Sequence, residues 1–292
     1  DEKFSLGLIL TTSTLAMLIP PSIAYILYAN ITGDSINTLF ISGLEGGLIF
    51  GLVLCVYSYL YARIKKIPVL PKAPWAERMK ALKESLLSLG MIVIILGGIY
   101  GGICTATEAA AIACVYAILI EMVVYRSISP RQLFFISVKS AQTISMPMIL
   151  IAAGSVLSWV MTIMQLPQLL ANMLGGASWI VVFLLINVIF LIAGMFIDPN
   201  SAVIVLVPLV FPVAQAVGIN SIQLATVIVI NLAIGMLTPP FGLNLFVGTS
   251  VFKKSFSEIV PGVLPFIGIS VIVLLFFMFI PALSLALPNL IA

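Results

Sequence analysis

Two proline pairs, Pro20-Pro21 and Pro239-Pro240, sit in the middle of long apolar runs. Proline has no backbone N–H and clashes with the carbonyl one turn earlier, so two in a row break a helix and free main-chain carbonyls. Inside a bilayer such carbonyls persist only where they line a cavity or are buried in protein. Small polar residues accompany each pair: Thr11, Thr12, Ser13 and Thr14 at the first, Asn231, Gly235 and Thr238 at the second. Broken membrane helices of this kind hold ions and polar solutes. A third group is Asp198-Pro199-Asn200-Ser201, where Asp198 is the only charged residue between Lys139 and Lys253. It has two readings. A carboxylate within the membrane is expensive and usually functional; at a tight turn in water it is a helix cap.

The elements that position these groups are membrane helices. Of the 292 residues 62% are hydrophobic and 8% charged, and the mean hydropathy is +1.27. A soluble domain carries about a quarter charged residues. Continuous rather than alternating apolar runs predict helical spans at 4–29, 38–62, 88–101, 106–125, 141–164, 178–197, 201–217, 221–249 and 259–287. The stretch 73–87 is amphipathic and reads as a surface helix. Residues 90–125 are too long for one span; Gly97, Gly98, Gly101 and Gly102 offer a break, and Thr105 with Glu108 spells a capping box that restarts the helix. That box gives Glu108 a structural task in place of proton carriage. Glu45 and Glu121 carry no assignment.

Basic residues fall in clusters at 63–83, 126–139 and 253–254, between spans. They are too short for nucleic-acid binding, and the span count puts all of them on one side, the cytoplasm. Trp159 and Trp179 suit interface anchoring. The odd number of cysteines, Cys55, Cys104 and Cys114, reads as buried thiols without metal spacing. There is no histidine, hence no transition-metal site and no usual proton shuttle. The chain starts without Met or a basic leader and becomes apolar within four residues, which reads as a start partway through a longer protein.

Leu18–Tyr28 and Leu237–Val247 resemble each other, each with its proline pair in mid-span. By the topology above the first runs outward and the second inward. Opposed broken helices mark an inverted repeat with sites at the breaks; the alternative is a pair of kinks that only shape packing.

Gly97-Gly98-Ile99-Tyr100-Gly101-Gly102-Ile103-Cys104-Thr105-Ala106-Thr107-Glu108 and the alanines after it closely resemble a signature of the TRAP transporter large (M) subunit. The stretch from Asp198 through Pro208 and Pro212 to Gly218, the run Asn231–Pro240 and Pro20-Pro21-Ser22 match as well. The resemblance implies an all-α, elevator-type membrane transporter of the ion-transporter-superfamily kind, with inverted repeats, broken helices and re-entrant hairpins. On that pattern 1–29 is the broken helix of the first repeat, 30–140 holds scaffold spans and the surface helix, and 141–177 a scaffold span and arm helix. Residues 178–250 form the second hairpin and broken helix, and 251–292 the last span. The first hairpin belongs before residue 1.

The family imports organic acids such as C4-dicarboxylates and sialic acid across the bacterial inner membrane, driven by sodium. It works with a small membrane (Q) subunit and a periplasmic substrate-binding protein, and needs no cofactor beyond sodium. Sodium takes hard oxygen ligands. Ser13 or Thr14 with carbonyls near Ala16, Ile19 and Pro20 suit one ion site; Asp198, Asn200 and Ser201 with carbonyls near Gly235 and Thr238 suit another. Ser22, Asn231, Pro239 and Asn244 are substrate contacts on this reading, though each asparagine can instead bond a neighbouring helix. Proton coupling through Asp198 is the nearest alternative. A passive channel suits the repeat less well, and an intramembrane enzyme lacks its histidines or second aspartate.

Overall fold

A computed structural model describes residues 2–68, 72–166, 169, 176 and 178–291. Among these every regular element is helical. The helices are α1 (Glu2–Ser13), α2 (Leu15–Leu18), α3 (Ile23–Thr32), α4 (Ile36–Ile64), α5 (Trp75–Tyr100) and α6 (Ala106–Leu119). Then come α7 (Pro130–Ile163), α8 (Trp179–Phe196), α9 (Pro199–Ala216), α10 (Ser221–Gly235), α11 (Leu243–Phe252), α12 (Phe256–Phe279) and α13 (Ala282–Ile291). Seven helical stretches of the described residues are long and apolar enough to cross a membrane. The chain is a multi-pass, all-α membrane protein. The arm helix expected near 166–177 lies almost wholly outside the described residues.

The chain packs as two units, one from Asp1–Tyr59 and Pro147–Ala292, the other from Leu60–Met146. Residues 36–59, grouped from sequence with the scaffold spans of 30–140, pack in the first unit, because α4 touches the residues just before the first proline pair. A Cβ on Gly43 would meet the Leu18 carbonyl, and one on Gly47 would meet the Ile19 side chain.

Helix α10 is the axis of the first unit. Every residue from Gln223 to Gly235 is buried, the state expected of a helix apolar all round. It meets α8 backbone to backbone: a Cβ on Gly235 would lie 2.6 Å from the Gly194 Cα. Close small-residue contacts substitute in lipid for the missing hydrophobic drive. The α8–α10 pair is locked by Asn231, whose amide donates to the Asn187 carbonyl at 2.7 Å and side-chain oxygen at 2.8 Å. Helix α1 crosses α12 where Gly7 faces Gly262, next to a ring cluster of Phe4, Tyr57 and Phe266. Lys254 pairs with Glu2 at 2.9 Å beside this crossing, and that contact raises the lysine pKa.

The span read at 259–287 is divided. Helix α12 ends at Phe279, and Pro281, with no N–H to donate, starts α13. Helix α13 then lies along α4. Ser42 donates to the Ser284 carbonyl at 2.7 Å, and Glu45 accepts the Leu287 N–H at 3.1 Å. Both pairs are 242 residues apart, so the two helices run in the same direction in one register. Ser42 also pairs with Thr226 of α10 at 2.6 Å.

In the second unit α5 and α6 form an antiparallel pair. The surface helix expected at 73–87 and the span at 88–101 are one continuous helix, Trp75–Tyr100. No proline interrupts it, and its polar first half is made of good helix formers. Twenty-six residues reach about 39 Å at 1.5 Å each, so the charged start projects beyond a hydrocarbon core of about 30 Å. The turn at Gly101 and Gly102 exists, and Gly102 has φ +66°, a value that suits glycine. The capping box forms as read: Thr105 N–H donates to Glu108 at 2.8 Å and Glu108 N–H to the Thr105 hydroxyl at 3.3 Å.

Candidate functional site

Both proline pairs interrupt their helices, and both Pro–Pro peptide bonds are cis. In an unbroken helix the N–H groups at 20 and 21 would serve the carbonyls of Ala16 and Met17. Prolines offer none. Ala16 and Met17 line a cavity of about 320 Å³. At the second break, Pro239 and Pro240 likewise deny donors to Gly235 and Met236, but other groups supply them. Thr238 N–H donates to the Gly235 carbonyl at 3.0 Å, and Asn244 N–H to the Met236 carbonyl at 3.1 Å. The first break is therefore left with open carbonyls and the second is largely closed on itself.

The same cavity gathers three elements distant in sequence. Ala16, Met17, Pro21 and Ser22 come from the first break, Asp198, Pro199 and Asn200 from the turn between α8 and α9, and Met236 and Leu243 from the second break. Asp198 caps α9. Its carboxylate accepts the N–H of Asn200 at 3.0 Å and of Ser201 at 3.3 Å, and the Ser201 hydroxyl donates to its other oxygen. Pro199 follows at the first helical position, where its missing N–H costs nothing. Asp198 is a helix cap, and the turn it caps lines the cavity.

The remaining site residues read from sequence separate into groups. Ser13 accepts a hydrogen bond from Asn244 Nδ2 at 3.1 Å, which ties the two breaks together. The Thr14 hydroxyl turns back onto the Thr11 carbonyl at 2.7 Å and is buried. Thr238 does the same onto Ile234 at 2.8 Å. Ile19 packs on Gly47, and Pro20 is buried. Gly235 is spent on the α8 contact, and the Asn231 Nδ2 is occupied with Asn187, while its buried Oδ1 has no partner among the described residues. Pro239 is half-buried and is not among the lining residues. Met17, Met236 and Leu243 line the cavity without having been foreseen. They carry no polar signal, and only the fold brings them there.

Among the described residues no group of three or more His, Cys, Asp or Glu side chains is placed to hold a metal. The arrangement offers instead main-chain carbonyls, one capped carboxylate, an amide and a hydroxyl around a solute-sized space.

Residues 1–283 match the family model described as the DctM component of the tripartite ATP-independent periplasmic transporter. The chain belongs to this family. A TRAP C4-dicarboxylate large permease protein of Pseudomonas aeruginosa is 39% identical over 99% of this chain and 68% of its own length. An ectoine TRAP large permease protein of Halomonas elongata is 38% identical, also over 99% and 68%. A sialic acid TRAP large permease protein of Vibrio cholerae is 36% identical, with the same coverage. The chain thus spans about two-thirds of the length of these relatives. TRAP large permeases are transporter components, not enzymes, and so is this chain.

Proposed function

We propose that the chain forms the greater part of the permease of a sodium-driven importer of an organic acid, of the C4-dicarboxylate or sialic acid class. It acts in a bacterial inner membrane, with a small membrane subunit beside it and a periplasmic binding protein that delivers the substrate. The observation that carries this reading is the cavity where two broken helices and the α8–α9 turn meet. Open carbonyls at Ala16 and Met17 and the oxygens around Asp198 are hard donors suited to sodium. The N-terminus of α9 points its positive end at the same space and favours an anionic group. Ser22 and Asn200 would add hydrogen bonds to the substrate. The relatives named for dicarboxylate and sialic acid support the substrate class.

The experiment is uptake into proteoliposomes holding the complete permease, its small partner and its binding protein. Labelled succinate and labelled sialic acid are supplied outside, under an inward sodium gradient or an equal potassium gradient. Uptake of either acid that needs sodium and the binding protein supports the reading. Uptake that follows a pH gradient regardless of sodium replaces it with proton coupling through Asp198.

A further inference from the structure

A second cavity, also of about 320 Å³, opens between α3, α7 and α9. It is separate from the first, and neither the family nor the proposed transport reaction assigns it a task. One end of it is buried and apolar, and the other carries an exposed amide and indole. At one end Leu27 and Ile204 are buried, and Gly154 lies so close to Ile204 that a Cβ would collide with its side chain. At the other end are Asn30 and Trp159, both exposed. The Asn30 side chain hydrogen-bonds to no described group, so its amide is available.

This arrangement follows depth in the membrane. On the orientation read from the basic clusters, α3, α7 and α9 all run outward. Along α7 the lining goes from Ile151 through Ser155 to Trp159, eight residues or about 12 Å. That is close to half of a hydrocarbon core about 30 Å thick. The apolar, sealed end therefore lies toward the bilayer centre, and the amide and indole lie at the outer headgroup level, where tryptophan prefers to sit. Among the described residues no charged side chain lines the cleft.

The geometry points to a binding site for one outer-leaflet phospholipid, with an acyl chain seated on Leu27, Ile151 and Ile204 and its glycerol ester region at Asn30 and Trp159. The absence of lining charge makes the acyl chain and esters, not the headgroup, the recognised part. Such a lipid sits where α7 faces the helices that follow the first break and the α8–α9 turn. It fills space that would otherwise have to collapse.

The test uses tryptophan fluorescence. The complete permease, with Trp75→Phe and Trp179→Phe, keeps only Trp159 of the three tryptophans in the sequence. Purified in detergent, it is titrated with phosphatidylethanolamine, and separately phosphatidylglycerol, carrying brominated chains that quench nearby indoles. The site predicts saturable quenching at about one lipid per protein with both headgroups. It also predicts at least about tenfold weaker binding after Ile31→Phe from the α3 side or Ser155→Phe from the α7 side, since either ring takes the volume of the chain. Quenching that rises without saturation overturns the proposal. So does saturable quenching indifferent to both fillings in protein of unchanged helicity, or a requirement for the anionic headgroup.

Discussion

Asn244 Nδ2 donates to Ser13 Oγ at 3.1 Å across 231 residues of sequence. One residue follows the second proline pair and the other precedes the first. The bond fixes the distance between the two broken helices at the level of their breaks. If it is a structural tie, Ser13→Ala and Asn244→Ala each lower the unfolding temperature of the purified protein. The double variant then loses no more than the worse single one. The coupling expected from such a cycle is about 0.5–1.5 kcal/mol. Strictly additive losses would show that the two residues act separately.

Asp198 divides into two tasks that substitutions can separate. Asp198→Asn keeps an oxygen for the Asn200 and Ser201 N–H groups and should leave stability within about 1 kcal/mol, because asparagine caps as well as aspartate. It removes the charge, and the apparent sodium affinity for uptake should fall at least about tenfold, about 1.4 kcal/mol of ion binding. Asp198→Ala removes the cap as well and should cost a further 1–2 kcal/mol or so of stability. Unchanged sodium dependence in Asp198→Asn would leave the residue a cap and nothing more.

Gly235 has no room for a methyl group. Its Cβ would lie 2.6 Å from the Gly194 Cα, and the nearest atoms are all Gly194 backbone that cannot swing aside. Gly235→Ala should destabilise by about 1–3 kcal/mol through overpacking, read as an earlier thermal transition in detergent. Gly268→Ala, where nothing lies within 4 Å, is the control and should be neutral or slightly stabilising.

Glu45 is buried in α4 and accepts the Leu287 N–H of α13. Glu45→Gln retains an acceptor of the same length and should keep α13 docked. Glu45→Leu leaves that N–H without its partner and should release α13, seen as faster proteolysis after Pro281. Equal protease resistance in both variants would mean that Ser42 and the apolar contacts hold the helix alone.

The fold class was open to reading from composition and run length, because a bilayer accepts helices and rejects unsatisfied backbone. The helix breaks at Pro20-Pro21 and Pro239-Pro240, the cap at Asp198 and the capping box at Thr105 and Glu108 were equally legible. Each depends on residues within one or two turns of each other. The continuity of the helix from Trp75 to Tyr100 is not legible in the sequence, since amphipathicity reports which face is wet and not where a helix stops.

What the sequence alone could not decide was which polar groups remain available. Thr14 and Thr238 have the side chains of ion or substrate ligands, yet each hydroxyl is turned back onto its own helix, and the Asn231 amide nitrogen is held by Asn187. Asn231 is a partner of Asn187 because α8 and α10 approach through Gly194 and Gly235, a contact between residues forty-one apart with no local signal. The apolar lining from Met17, Met236 and Leu243, and the register of α13 on α4, depend in the same way on long-range packing. Local backbone chemistry is written in neighbouring residues; the occupancy of a hydrogen-bonding group is settled only when distant helices meet.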